Sequence, residues 1–81
     1  MIKIYGSMLC KDCVQCRRDL DKANVPYEYK DFATDLMNLK VFLALRDKEA
    51  VFEPIRSEGR IGIPCIVRED ESVVFDWQEF L

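Results

Sequence analysis

Ile2 and Ile4 alternate with Lys3 and Tyr5, a period of two that predicts an opening β-strand. Gly6-Ser7-Met8-Leu9 interrupts it. From Cys13 the period lengthens: Cys13, Cys16, Leu20 and Ala23 recur three and four apart, with Arg17, Arg18, Asp19, Asp21 and Lys22 mostly on the other side, which predicts an amphipathic helix. Asn24 tolerates a left-handed end and Pro26 forbids continuation. Tyr27 to Asp31 alternates again, so a second strand is expected. Asp35 or Thr34 then caps a longer helix reaching Asp47-Lys48-Glu49, with Leu36, Leu39, Phe42, Leu43 and Arg46 along one side. Phe52–Ser57 makes a short helical turn stopped by Gly59. Gly62-Ile63-Pro64-Cys65-Ile66-Val67 is a buried strand entered through proline, Glu69-Asp70-Glu71-Ser72 a solvated turn, and Val73-Val74-Phe75 its antiparallel partner. Asp76-Trp77-Gln78-Glu79 has the form of a capping box opening a last helix of one or two turns, with Trp77, Phe80 and Leu81 as core contacts or a dimer contact. The order is β-α-β-α-β-β-α. A helix between the first two strands implies a parallel pair with a right-handed crossover, and the last two strands form a hairpin. The fold class is therefore α/β: a mixed four-stranded sheet with helices on both faces.

Eighty-one residues make one domain, 1–81. The 12 basic and 15 acidic residues leave a net charge of −3 with no basic run, which argues against a nucleic-acid partner. No apolar run approaches the roughly 20 residues that span a bilayer, so no membrane partner is expected. The strand pattern begins at Met1-Ile2, leaving no room for a cleaved leader, and the expected location is cytoplasmic.

Cysteine use changes the picture. Cys10, Cys13 and Cys16 fall within seven residues, Cys65 lies far downstream, and there is no histidine. Thiols so close in sequence cannot staple distant loops, and the lack of imidazole removes the Cys–His pair and the Ser-His-Asp triad. Cys10 sits just before the first helix, where unpaired N–H groups and the positive end of the helix dipole favour thiolate over thiol. Cys13, one turn on, points back toward it at roughly 5–6 Å between Cβ atoms, so a reversible Cys10–Cys13 disulfide is geometrically accessible. Lys11 favours the thiolate and Asp12 opposes it. Cys10 is then the nucleophile and Cys13 the resolving thiol of a thiol–disulfide oxidoreductase.

The chain resembles the glutaredoxins, within the thioredoxin fold, along nearly its whole length. Lys3-Ile4-Tyr5, the Cys10-x-x-Cys13 that opens the first helix and Ile63-Pro64 before the third strand carry the resemblance. It implies a cis peptide bond at Pro64 and, at Ile63, exposed backbone groups that pair with a substrate peptide. The family's Cys-Pro-Tyr-Cys is Cys10-Lys11-Asp12-Cys13 here. Its glutathione-binding lysine falls at Ser7, and its Gly-Gly-x-Asp at Val73-Val74-Phe75-Asp76, where only the aspartate remains. The resemblance thus implies Ser7, Ile63, Pro64 and Asp76 as substrate-binding positions, and Lys11, beside the nucleophile, is counted with them. Partners would be a disulfide-containing protein or a small thiol. The resemblance implies no bound cofactor, with glutathione or another thiol reductant as the expected cosubstrate.

Other uses of the same residues stand beside this one. Cys16 lies on the apolar stripe, where a small core residue is wanted, and Cys65 is either near the site or a buried strand residue. Cys10, Cys13, Cys16 and Cys65 together make a four-thiolate set for zinc or an iron–sulfur cluster, although Cys10 faces out while Cys13 and Cys16 face in. A cluster held between two subunits through Cys10 avoids that conflict. Met8-x-Cys10-x-x-Cys13 matches the copper-chaperone signature, but that fold has a hairpin where this chain has the Asp35–Glu49 helix. No metal site is assigned. A binding module that keeps the fold without catalysis is the third class.

Overall fold

A computed structural model describes all 81 residues. Strand β1 (Ile2–Gly6) is central in a mixed four-stranded sheet of order β2-β1-β3-β4, where β2 is Tyr27–Asp31, β3 Cys65–Val67 and β4 Val73–Val74. β1 runs parallel to β2 and antiparallel to β3, and β3–β4 is the expected hairpin. Helices α1 (Lys11–Lys22), α2 (Leu36–Lys48) and α3 (Glu53–Ser57) cover the sheet from two sides.

The period-two pattern of β1 divides the core. Ile2, Ile4 and Ile66 meet Cys16 and Leu20 of α1 on one face. Tyr5 and Cys65 meet Phe42, Phe52 and Ile55 on the other. Ring contacts extend the second cluster, with Phe52 edge-on to both Phe42 and Phe75 at centroid distances of 5.9 and 5.0 Å. Local signals act as their chemistry requires. The Asp35 carboxylate accepts the Met37 N–H at 2.9 Å and starts α2, and Asn24 takes φ 57 beyond α1.

Several elements differ from the sequence expectation. The α1 stripe stops at Leu20, and Ala23, just past the helix, is exposed. On α2 only Phe42 is buried, with Leu39 and Leu45 packed beside it, whereas Leu36 and Leu43 stay largely exposed. The short sheet is met by residues spaced in threes, so the expected stripe is rotated. The third strand begins only at Cys65, three residues after Gly62. The last element is a 3₁₀ turn, Trp77–Phe80, and not an α-helix. Asp76 caps it by accepting the Gln78 N–H at 2.9 Å, but Glu79 binds Arg68 at 2.7 Å instead of closing the capping box. Trp77 and Phe80 pack on the α1 side, while Leu81 remains exposed.

Candidate active site

The sheet register assembles the site. β3 pairs with β1 so that Tyr5 faces Cys65, and continuing this antiparallel register by one and two residues brings Pro64 and Ile63 beside Gly6 and Ser7. The loop that leaves β1 delivers Cys10 to the same edge. Cys10 is the N-cap of α1, with extended φ −91 and ψ 119, and its sulfur accepts the Cys13 N–H at 3.4 Å. Its carbonyl takes the Val14 N–H at 3.1 Å. The sulfur thus has a backbone donor against it and stands at the positive end of a twelve-residue helix.

Cys10 opens onto two clefts. One, of about 510 Å³, is mostly apolar and is lined by Ser7, Leu9, Phe32, Leu43 and Ile63 among others. The other, of about 730 Å³, includes Pro64, Phe75 and Trp77. Both fall in the range of ligand sites. Gly59, Arg60, Ile61 and Ile63 border both clefts, so the chain before Pro64 forms the ridge between them. That ridge is tied down from α2: Arg46 donates to the Ile61 carbonyl at 3.0 Å and to the Arg60 carbonyl at 2.7 Å. The Ile63–Pro64 bond is cis, and Ile63 makes no backbone hydrogen bond.

Of the residues singled out from sequence, Ser7, Cys10, Ile63 and Pro64 converge here. Lys11 lies on the outer side of α1, lining a shallow depression with Met8 and Arg18. Asp76 is exposed, and its carboxylate is engaged as a helix cap. Sequence reasoning missed Arg46, the aromatic wall of Phe32 and Phe75, and Tyr29. Tyr29 is the partner of Ile4 in the β1–β2 register, so the alternation of β2 placed it on the α1 face. No sequence signal aimed its hydroxyl at a thiol.

All four cysteines are free thiols, and only Cys10 is accessible. Burial pushes Cys13, Cys16 and Cys65 up to about 12. At Cys13 the neighbouring Cys10 pushes in the same direction, while the Ser7 backbone and the Tyr29 hydroxyl pull it down. Cys16 belongs to the α1-side core and Cys65 to the opposite cluster, so the four thiolates do not converge on one ion. Cys65 is a core residue. A limiting amount of iodoacetamide at neutral pH is therefore expected to label Cys10 and spare the other three. Peptide mass spectrometry checks this, and prompt labelling of Cys16 or Cys65 contradicts the burial.

The chain is 36% identical over 73 residues, 90% of its own length and 85% of the relative's, to a protein of Haemophilus influenzae described as uncharacterized. No protein-family model and no solved structure matches it.

Proposed function

The chain belongs to one family with the uncharacterized Haemophilus influenzae protein, and we propose that it is a glutaredoxin-like thiol–disulfide oxidoreductase of the thioredoxin fold. The observation that carries this is the Cys10 sulfur at the helix N-terminus, sharing a cleft with Ile63 and Pro64 and with Cys13 one turn behind.

The Cys10 thiolate attacks one sulfur of a substrate disulfide. A bond forms between Cys10 and that sulfur, and the other sulfur leaves with the electron pair and takes a proton from solvent. Cys13 then attacks the Cys10 sulfur, the bound half departs as a thiol, and a Cys10–Cys13 disulfide remains. Two electrons have passed to the substrate. An external thiol returns them, and a reducing compartment such as the cytoplasm suits this cycle. Capture itself helps the second step. Once Cys10 is bonded to substrate it carries no charge, so its share of the upward push on the Cys13 thiol disappears. The free backbone groups of Ile63 supply strand-like pairing to a peptide lying across the cleft.

Reduction of insulin and of hydroxyethyl disulfide, each with glutathione plus glutathione reductase or with thioredoxin reductase as electron source, tests the proposal. Turnover is expected with at least one pair. The absence of turnover with every pair overturns the enzymatic reading in favour of a non-catalytic module.

A further inference from the structure

The mechanism leaves a difficulty at Cys13. Its sulfur is fully buried, its thiol is pushed up to about 12, and yet it must act as a thiolate. A donor beside the sulfur would lower that cost. The Tyr29 hydroxyl is buried and has no hydrogen-bond partner, an uncommon state for a polar atom in a folded interior. It also lies close to the sulfur. A methyl carbon built on Gly6 would stand 2.7 Å from Cys13 Sγ and 2.8 Å from Tyr29 Oη, so both atoms crowd the space that the missing side chain leaves open. The Arg17 guanidinium sits 4.3 Å from the Tyr29 ring centroid, and Arg17 is itself anchored to the Tyr27 hydroxyl at 3.3 Å.

We propose that the Tyr29 hydroxyl is the donor that lets buried Cys13 carry charge during the second step, with Gly6 keeping the space between them clear. This rests on the thiol–disulfide reading above. In the resting thiol state the hydroxyl has no acceptor worth its proton. As the Cys13 thiol gives up its proton, which the departing substrate thiolate takes up in the end, the O–H turns to the sulfur, and a charge-assisted hydrogen bond replaces an orphaned donor. The sulfur–sulfur bond to Cys10 forms, the bond from Cys10 to the substrate half breaks, and the departing thiolate takes up a proton. Tyr29 keeps its own throughout. Burial and the adjacent sulfur both hold the phenol well above its ordinary value, so it stays a donor and does not act as a base. The ionisable groups facing the pair are Cys10 at the N-cap, Cys16 and Arg17 from α1, and Asp31 from the end of β2.

The test uses the reduced protein rapidly mixed with a symmetrical nitrophenyl disulfide whose released thiolate is coloured. Colour appears in two phases, the first from attack by Cys10 and the second from release by Cys13. Tyr29→Phe is expected to slow the second phase about ten- to a hundred-fold, as for loss of a hydrogen bond to a charged group, and to leave the first within about two-fold. The rise of the second phase with pH moves to higher pH in the variant. Equal slowing of both phases, or no change in the second, overturns the proposal. If neither phase appears in the parent protein, the oxidoreductase reading itself fails. Where Tyr29→Phe does not fold, 3-fluorotyrosine at position 29 retains the ring and makes the hydroxyl a stronger donor. It is expected to quicken the second phase, and a second phase that is unchanged or slower overturns the proposal.

Discussion

Cys10→Ser is expected to bring disulfide reduction down to the uncatalysed rate while the domain stays folded. Serine is among the best N-cap residues, so the new hydroxyl accepts the Cys13 N–H that the sulfur now accepts, and α1 keeps its start. What is lost is the nucleophile, because a serine hydroxyl with no base beside it does not attack sulfur at neutral pH. Cys16→Ser supplies the contrast. It buries a hydroxyl among Ile4, Leu20 and Ile66, at a cost of about 1–3 kcal/mol in stability, but the rate per folded molecule is retained. Cys13→Ser differs from both: Cys10 still captures substrate, and the mixed disulfide accumulates and can be weighed intact. Steady-state rates together with denaturation midpoints separate the three. Equal loss of activity in Cys10→Ser and Cys16→Ser would count against the assigned roles.

Gly62→Ala is expected to be among the most destabilising single-atom additions to this chain. Gly62 has φ +94, and a Cβ there would stand 2.7 Å from Phe52 Cε1 and 3.2 Å from Ile55 Cγ2. Phe52 has no exposed surface and is held edge-on by Phe42 and Phe75, so it cannot swing aside. Overpacking of about 1–3 kcal/mol adds to a left-handed backbone cost of roughly 1–2 kcal/mol. Together these remove about 2–5 kcal/mol from a domain whose whole stability is on the order of 5–15 kcal/mol. Gly59→Ala is the internal control. It has a similar φ of +70, but nothing lies within 4 Å of the new atom, so only the backbone part of about 1–2 kcal/mol is lost. Urea unfolding of both variants measures the difference, and equal losses would show that the contact with Phe52 has no weight. Gly62 also immediately precedes Ile63, so the destabilised variant is expected to lose substrate binding before it loses the sheet.

The parts of this structure that follow from short-range chemistry were legible in the sequence. Asp35 and Asp76 cap as short polar side chains do, Asn24 takes the left-handed turn, and the alternation of Ile2, Ile4 and Tyr5 sorts the two cores. The placement of Cys10 at the helix start with Cys13 one turn on was legible because only two intervening residues and one helix start fix that relation. Where distant segments had to meet, the pattern was insufficient. Leu36 and Leu43 fit a helical stripe as well as Leu39 and Phe42 do, and only the width of the sheet decides which pair is covered. Arg46 lies on the same side of the expected helix as Leu39 and Phe42, but nothing in the pattern shows the 60–61 carbonyls that it binds. Lys11 was assigned to a binding surface by its place beside Cys10, and Asp76 by resemblance. Their side chains lie on the outer face of α1 and on a terminal cap, outside both clefts.

On the proposed disulfide chemistry, the bond from the Cys13 amide to the Cys10 sulfur ties redox state to mechanical integrity. The reduced sulfur accepts a hydrogen bond from the first turn of the helix. The same atom engaged in a bridge would be a poorer acceptor, and the turn would loosen on oxidation. By mass balance around the thermodynamic square, whatever firmness the dithiol form gains over the bridged form reappears as a greater appetite for electrons. Variants that strengthen or weaken this one helix end should therefore tune the midpoint potential without touching either cysteine.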